Sequence, residues 1–159
     1  MKKFILLTVV ILLSARLVGA EGAPAFSSPF LNVPTNSTES VFNFSPQGLK
    51  KPVLMVFWAS WCKPCILEVP DAIGLFREHE KTIDIVGVSV DKEKTKAESF
   101  IKKYALPYGN VHDPDMALSE KMGVQATPAL VLIGADGQVK YRAIRIDKKL
   151  KSQLAKLSP

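Results

Sequence analysis

The feature that most constrains this chain is a continuous apolar run, Val53-Leu54-Met55-Val56-Phe57. It passes directly into Trp58-Ala59-Ser60-Trp61-Cys62-Lys63-Pro64-Cys65 and then into a segment with helical spacing. An unbroken apolar run of strand length is the pattern of a strand covered on both faces, and so of a central strand. The chain's only two cysteines stand where that strand hands over to the helix. Two thiols with two residues between them can close a small disulfide ring and reopen it without moving the fold, the pattern of a redox site.

The N-terminus bears on which chemistry such a pair can do. Met1-Lys2-Lys3 is a basic start, Phe4 to Leu13 an apolar stretch, and Val18-Gly19-Ala20 a small-residue exit. Residues 1–20 therefore read as a signal peptide with cleavage expected after Ala20. Retention as an uncleaved membrane anchor is the alternative, although a spanning helix wants about 20 apolar residues and Ser14 and Arg16 interrupt this stretch early. The exit holds no cysteine, which argues against a lipoprotein. Without Lys2, Lys3 and Arg16 the formal charge falls from +6 to +3, an excess too small to imply nucleic acid. The basic residues near the C-terminus, Lys140 to Lys156, read as a solvated face.

Outside the cytosol a lone cysteine pair is usually a structural disulfide. Such staples gain most by closing long loops, and a bridge over two residues closes almost none. A metal pair needs further ligands, and His79 and His112 stand at no zinc spacing from the thiols; both read as surface residues, and no metal site is expected.

Residues 21–40 are rich in Pro, Ser, Thr and Asn and read as an extended lead-in with little regular structure, leaving residues 41–159 as one globular domain. Val41 to Phe44 is a short edge strand. After Pro64, Ile66, Val69, Ile73 and Phe76 recur at helical spacing as far as His79, with Pro70 inside the helix. Ile83 to Val90 is a second central strand. Thr95 and Glu98 form a capping box, followed by the stripe Ala97, Phe100, Ile101 and Tyr104. Asp113-Pro114 starts a short helix carrying Met116, Leu118 and Met122, with Gly123 as its cap. Ala129 to Ile133 and Val139 to Ala143 flank Gly134-Ala135-Asp136-Gly137 as an antiparallel hairpin, and Leu150, Leu154 and Leu157 line a closing helix. The sum is an α/β fold, a mixed central sheet with helices on both faces.

Three stretches resemble the thioredoxin superfamily, and within it the exported TlpA-like and ResA-like group. They are Val53 to Pro70, with Phe57-Trp58-Ala59-Ser60-Trp61-Cys62-Lys63-Pro64-Cys65 and then Glu68; Val86-Gly87-Val88-Ser89-Val90-Asp91; and Gly123-Val124-Gln125-Ala126-Thr127-Pro128 with its hairpin. The resemblance implies a thioredoxin-like fold over roughly residues 41–157. It departs from cytosolic thioredoxins at Val56, where those carry a buried acid, and places Glu68 at the TlpA-like acidic position. It also departs at Ala143-Ile144-Arg145-Ile146, which lacks the usual glycine.

Cys62, just ahead of the helix, should face unpaired N–H groups and the positive end of the helix dipole, both of which favour thiolate. Such settings lower a thiol pKa from ~8.5 to roughly 3.5–7.5. Cys62 is thus the attacking nucleophile, with Lys63 adding positive charge. Cys65, one turn deeper and less exposed, is expected to resolve the mixed disulfide. Glu68, three residues on, is the candidate base for Cys65, a partly buried carboxylate with a raised pKa; an ordinary solvated glutamate is the plainer alternative. The resemblance implies that Pro128 is a cis-proline opposite the disulfide, with the Thr127 backbone available to an extended client. Trp58 is expected to pack in the core. Trp61, Lys63 and Pro64 should border the substrate.

These residues imply a thiol-disulfide oxidoreductase with no cofactor beyond a redox-active Cys62–Cys65 disulfide. Its expected partners are thiol- or disulfide-bearing client proteins and a membrane electron donor or acceptor, with no nucleic acid. The expected setting is the bacterial periplasm and the expected state a monomer. The resemblance favours reduction of envelope clients, such as those of cytochrome c maturation. Disulfide donation is the alternative, and copper binding through the two thiols is a third reading from another class.

Overall fold

The computed structural model describes residues 22–157, so the expected signal peptide and its cleavage point lie outside the described residues. Along the chain run β1 (Phe26–Asn32), β2 (Val41–Phe44), β3 (Val53–Trp58), α1 (Lys63–His79), β4 (Asp84–Ser89) and α2 (Lys94–Tyr104). They are followed by β5 (Gly109–His112), α3 (Ala117–Lys121), β6 (Ala129–Ile133), β7 (Val139–Ala143) and α4 (Lys148–Leu157). The strands form one mixed sheet in the order β2-β1-β5-β4-β3-β6-β7.

β3 lies at the heart of this sheet, parallel to β4 and antiparallel to β6, with all six residues buried. Its side chains alternate between two cores, as the two-residue period of a strand requires. Leu54, Val56 and Trp58 face the core that also holds Cys65, Val69, Leu75 and Phe76 of α1, Phe100 and Ile101 of α2, and Leu150 and Leu154 of α4. Val53, Met55 and Phe57 face the other, which α3 and the β1–β2 pair cover through Leu118, Phe26, Phe30, Phe42 and Phe44. Helices do lie on both faces, three on one and α3 on the other. The fifteen or so residues of covered strand in β3, β4 and β6 explain why these segments are apolar almost throughout.

Three expectations are corrected by the structure, and one strand, β5, was not expected at all. The segment read as a lead-in contains β1, which pairs with β2 on one side and β5 on the other, while Gly22 bridges Gln138. Ser27 and Pro29 face outward and so mask a strand whose inward side is Phe26 and Phe30. β5 has one fully apolar buried side chain, Val111, and carries no local signal; it is held by parallel pairing to β4. α2 begins at Lys94 with Glu93 as N-cap, so Thr95 lies inside the helix, and Glu98 pairs instead with Lys94 at 3.5 Å. α3 starts only at Ala117, because the Asp113 carboxylate accepts the Leu118 and Ser119 N–H groups at 3.0 and 2.8 Å and anchors its first turn. Gly123 does follow that helix with a positive φ of 67°, the left-handed region that glycine occupies freely.

Candidate active site

The ends of β3 and β4 and the start of α1 build the site. After Trp58 the chain turns tightly, with the Cys62 N–H donating to the Ala59 carbonyl at 3.1 Å. Cys62 then becomes the N-cap of α1 in extended conformation, and its Sγ accepts the Cys65 N–H at 3.3 Å. Pro64 falls in the first helical turn, where a missing N–H costs nothing. Cys62 and Cys65 are joined by a disulfide with their Cα atoms 5.3 Å apart.

Both cysteines are buried, Cys62 at 4% exposure and Cys65 at 6%. The expected contrast in exposure is therefore absent, because the capping geometry folds the Cys62 sulfur back over the helix end. What distinguishes the two is position. Cys62 holds the cap, and Cys65 lines a cavity of about 20 Å3 with Glu68, Val56, Trp58, Pro128 and Ile146. The Glu68 carboxylate accepts the Ile146 N–H at 3.0 Å, tying α1 to the segment after β7. Burial pushes the Glu68 carboxyl above its usual range, an effect opposed by that N–H and by Arg145 and reinforced by Asp71. Val56 stands in the same cavity as an apolar wall, which leaves Glu68 as the acidic side chain lining it beside Cys65.

The Thr127–Pro128 bond is cis, and both residues are half-buried. Pro128 also borders a groove of about 580 Å3 that runs along Ala126, Ala129, Ile144 and Arg145. Trp61 is 68% exposed beside Cys62, with Lys63 and Pro64 exposed at the helix start. Leu67 and Ile144 are also exposed large apolar side chains. Trp58 is buried, stacked on Phe100 with ring centroids 4.6 Å apart, and its Nε1–H donates to Asn110 Oδ1 at 3.0 Å.

The structure shows two things that sequence reasoning missed. Asp91, fully buried, accepts the backbone N–H and the hydroxyl of Ser60 at 3.0 and 2.7 Å, holding the turn that leads to Cys62. His112, expected at the surface, is half-buried with Nε2 2.7 Å from the Asp91 carbonyl, and His79 is half-buried too. A polar residue directly after an apolar strand was the available signal for Asp91. Among the described residues, no group of three or more His, Cys, Asp or Glu side chains is placed to hold a metal ion.

A disulfide across a helix N-terminus, a cis-proline and a mixed sheet of this order together define a thioredoxin-like fold with a C-x-x-C site. The chain belongs to the Redoxin family, which it matches over residues 18–157. It is 30% identical over 112 residues to the thiol-disulfide oxidoreductase ResA of Bacillus thuringiensis subsp. konkukian, a match covering 69% of this chain and 65% of that protein. Among solved structures, a thiol-disulfide oxidoreductase from Bacteroides fragilis superposes with a TM-score of 0.72 at 24% identity, over 86% of this chain and 99% of that one. StoA from Bacillus subtilis superposes with a TM-score of 0.66 at 20% identity, over 84% and 97%. These two likenesses concern the fold.

Proposed function

We propose that the chain is an exported thiol-disulfide oxidoreductase that reduces disulfides of cell-envelope client proteins through Cys62 and Cys65. The observation that carries this reading is the Cys62 sulfur at the N-cap of α1, within 3.3 Å of the Cys65 N–H. A helix N-terminus stabilises an anion there, and the thiolate is the nucleophile of disulfide exchange. The name of the ResA relative supports the same chemistry.

In the reductive direction the Cys62 thiolate attacks one sulfur of the client disulfide. The S–S bond breaks, one client thiolate leaves, and a mixed disulfide forms on Cys62. Cys65 then gives its proton to Glu68 and attacks the Cys62 sulfur, and the second client thiolate departs. The client gains two electrons and the protein is left with the Cys62–Cys65 disulfide, which a dithiol donor at the membrane restores. An extended client segment would pair with the Thr127 backbone beside Pro128, with Trp61, Lys63 and Pro64 at its flank. Apocytochrome c is the kind of client that the ResA-like resemblance suggests. The basic and apolar start of residues 1–20 supports export, with the periplasm as the setting. Among the described residues no helix is long and apolar enough to cross a membrane.

A Cys65→Ser variant tests this directly, because the mixed disulfide on Cys62 can then no longer be resolved. Non-reducing separation of envelope extracts should show covalent client adducts that a further Cys62→Ser change abolishes. A Cys65→Ser protein that accumulates no adduct would refute the reading.

A further inference from the structure

Asp91 stands two residues past the end of β4, is 1% exposed and lies beside the end of β3. Its carboxylate meets the Ser60 N–H at 3.0 and 3.2 Å through its two oxygens, the Ser60 hydroxyl at 2.7 Å and the Ser89 hydroxyl at 2.9 Å. Three of these four contacts reach a single residue, and that residue stands two positions before Cys62. The Asp91 N–H donates to Ser89 Oγ at 3.2 Å, and the Val90 N–H donates to the Trp58 carbonyl at 2.9 Å, so the clamp is itself fixed to both strands. Burying a carboxylate is costly unless donors surround it. Most of the donors that satisfy this one belong to the turn that delivers the reactive sulfur to its helix cap.

We propose that Asp91 is a positioning residue for Cys62. By fixing both donors of Ser60 it sets the Ala59–Cys62 turn, and thereby the alignment of the Cys62 sulfur with the Cys65 N–H. The proposal rests on the dithiol-disulfide cycle described above. Without the clamp the turn is free to move, the capping contact weakens, and the Cys62 thiolate loses stabilisation. A reduced form stabilised less is a reduced form harder to reach, so the disulfide is favoured.

The test compares wild type, Asp91→Ala, Asp91→Asn and Ser60→Ala, each fully reduced and then read in two ways. One readout is the rate at which iodoacetamide modifies Cys62 at neutral pH, and the other is the equilibrium between the Cys62–Cys65 disulfide and glutathione. Asp91→Ala is expected to react about tenfold more slowly and to shift the equilibrium about tenfold toward the disulfide, the effect of losing a charge-assisted hydrogen bond. Asp91→Asn keeps an acceptor for the Ser60 N–H and should recover both to within about threefold. Ser60→Ala removes one donor and keeps the backbone, so it should show the same direction at about threefold even where Asp91→Ala fails to fold. A purely structural role would lower stability and leave both readouts at their wild-type values in every folded variant, which would overturn the proposal. A wild-type disulfide that does not exchange with glutathione would instead overturn the cycle beneath it.

Discussion

Replacing Glu68 by Gln separates the two halves of the exchange reaction. The variant keeps an acceptor oxygen for the Ile146 N–H, which Glu68 now accepts at 3.0 Å, so the tie between α1 and the segment after β7 survives. What it loses is the ability to take a proton. The cavity that Glu68 shares with Cys65 measures about 20 Å3, room for about one water, so in the proposed cycle a proton would pass directly or across a single bridge. A positioned base contributes roughly 100-fold to 10,000-fold. One water is a short relay that bulk solvent can partly replace at this half-buried site, so the lower end applies. In stopped-flow experiments with a disulfide peptide, formation of the mixed disulfide should be unchanged, while its resolution by Cys65 should slow about 100-fold at neutral pH. Raising the pH should restore the rate as hydroxide replaces the missing base. Equal resolution rates in wild type and variant would refute the role of Glu68. Stability provides a second check with a fixed sign. Burial holds the folded carboxyl above its unfolded value, so its stabilising contribution is present below the unfolded pKa and is lost as pH rises through the folded one. Glu68→Gln should therefore gain stability over wild type on going from acidic to neutral pH in urea titrations.

Two further changes probe the scaffold and the rim. At Gly87 an added Cβ would lie 1.8 Å from Asn110 Oδ1 and 2.8 Å from Trp58 Nε1, so Gly87→Ala should cost about 1–3 kcal/mol in urea unfolding and break the Trp58–Asn110 hydrogen bond; an unchanged midpoint would contradict the packing described. Trp61 is 68% exposed, so Trp61→Ala should leave stability within about 0.5 kcal/mol while raising KM for protein clients, and unchanged client kinetics would remove Trp61 from the docking surface.

Some of this architecture is legible in the sequence and some is not, and the division is physical. β3, α1, the β6–β7 hairpin and α4 each carry their own period or turn chemistry, so Val53 to Phe57 or Leu150 and Leu154 announce their elements locally. β1 and β5 do not. Asn32 donates to the Leu106 and Tyr108 carbonyls and accepts from the Asn110 N–H, contacts made across more than seventy residues that no window of sequence contains. Cys62 and Cys65 are legible because they stand together where an apolar strand passes into a helix, whereas spacing alone left Glu68 open between a base and a solvated side chain, and only the family resemblance singled it out. The Asp91–Ser60 clamp is not, since it joins residues 31 positions apart. The burial of Cys62 also escapes a local reading, because helix capping turns its sulfur inward against the expectation set by its place in a loop.

A working redox couple and a structural staple differ in how readily the Cys62–Cys65 disulfide is reduced. Its reduction potential, measured by equilibrium with glutathione or dithiothreitol and quantified by mass of the alkylated forms, separates the two. A value within about −270 to −120 mV, the range of proteins that exchange disulfides, is expected; a value well below about −300 mV, where structural disulfides lie, would mark a staple and overturn the proposed cycle.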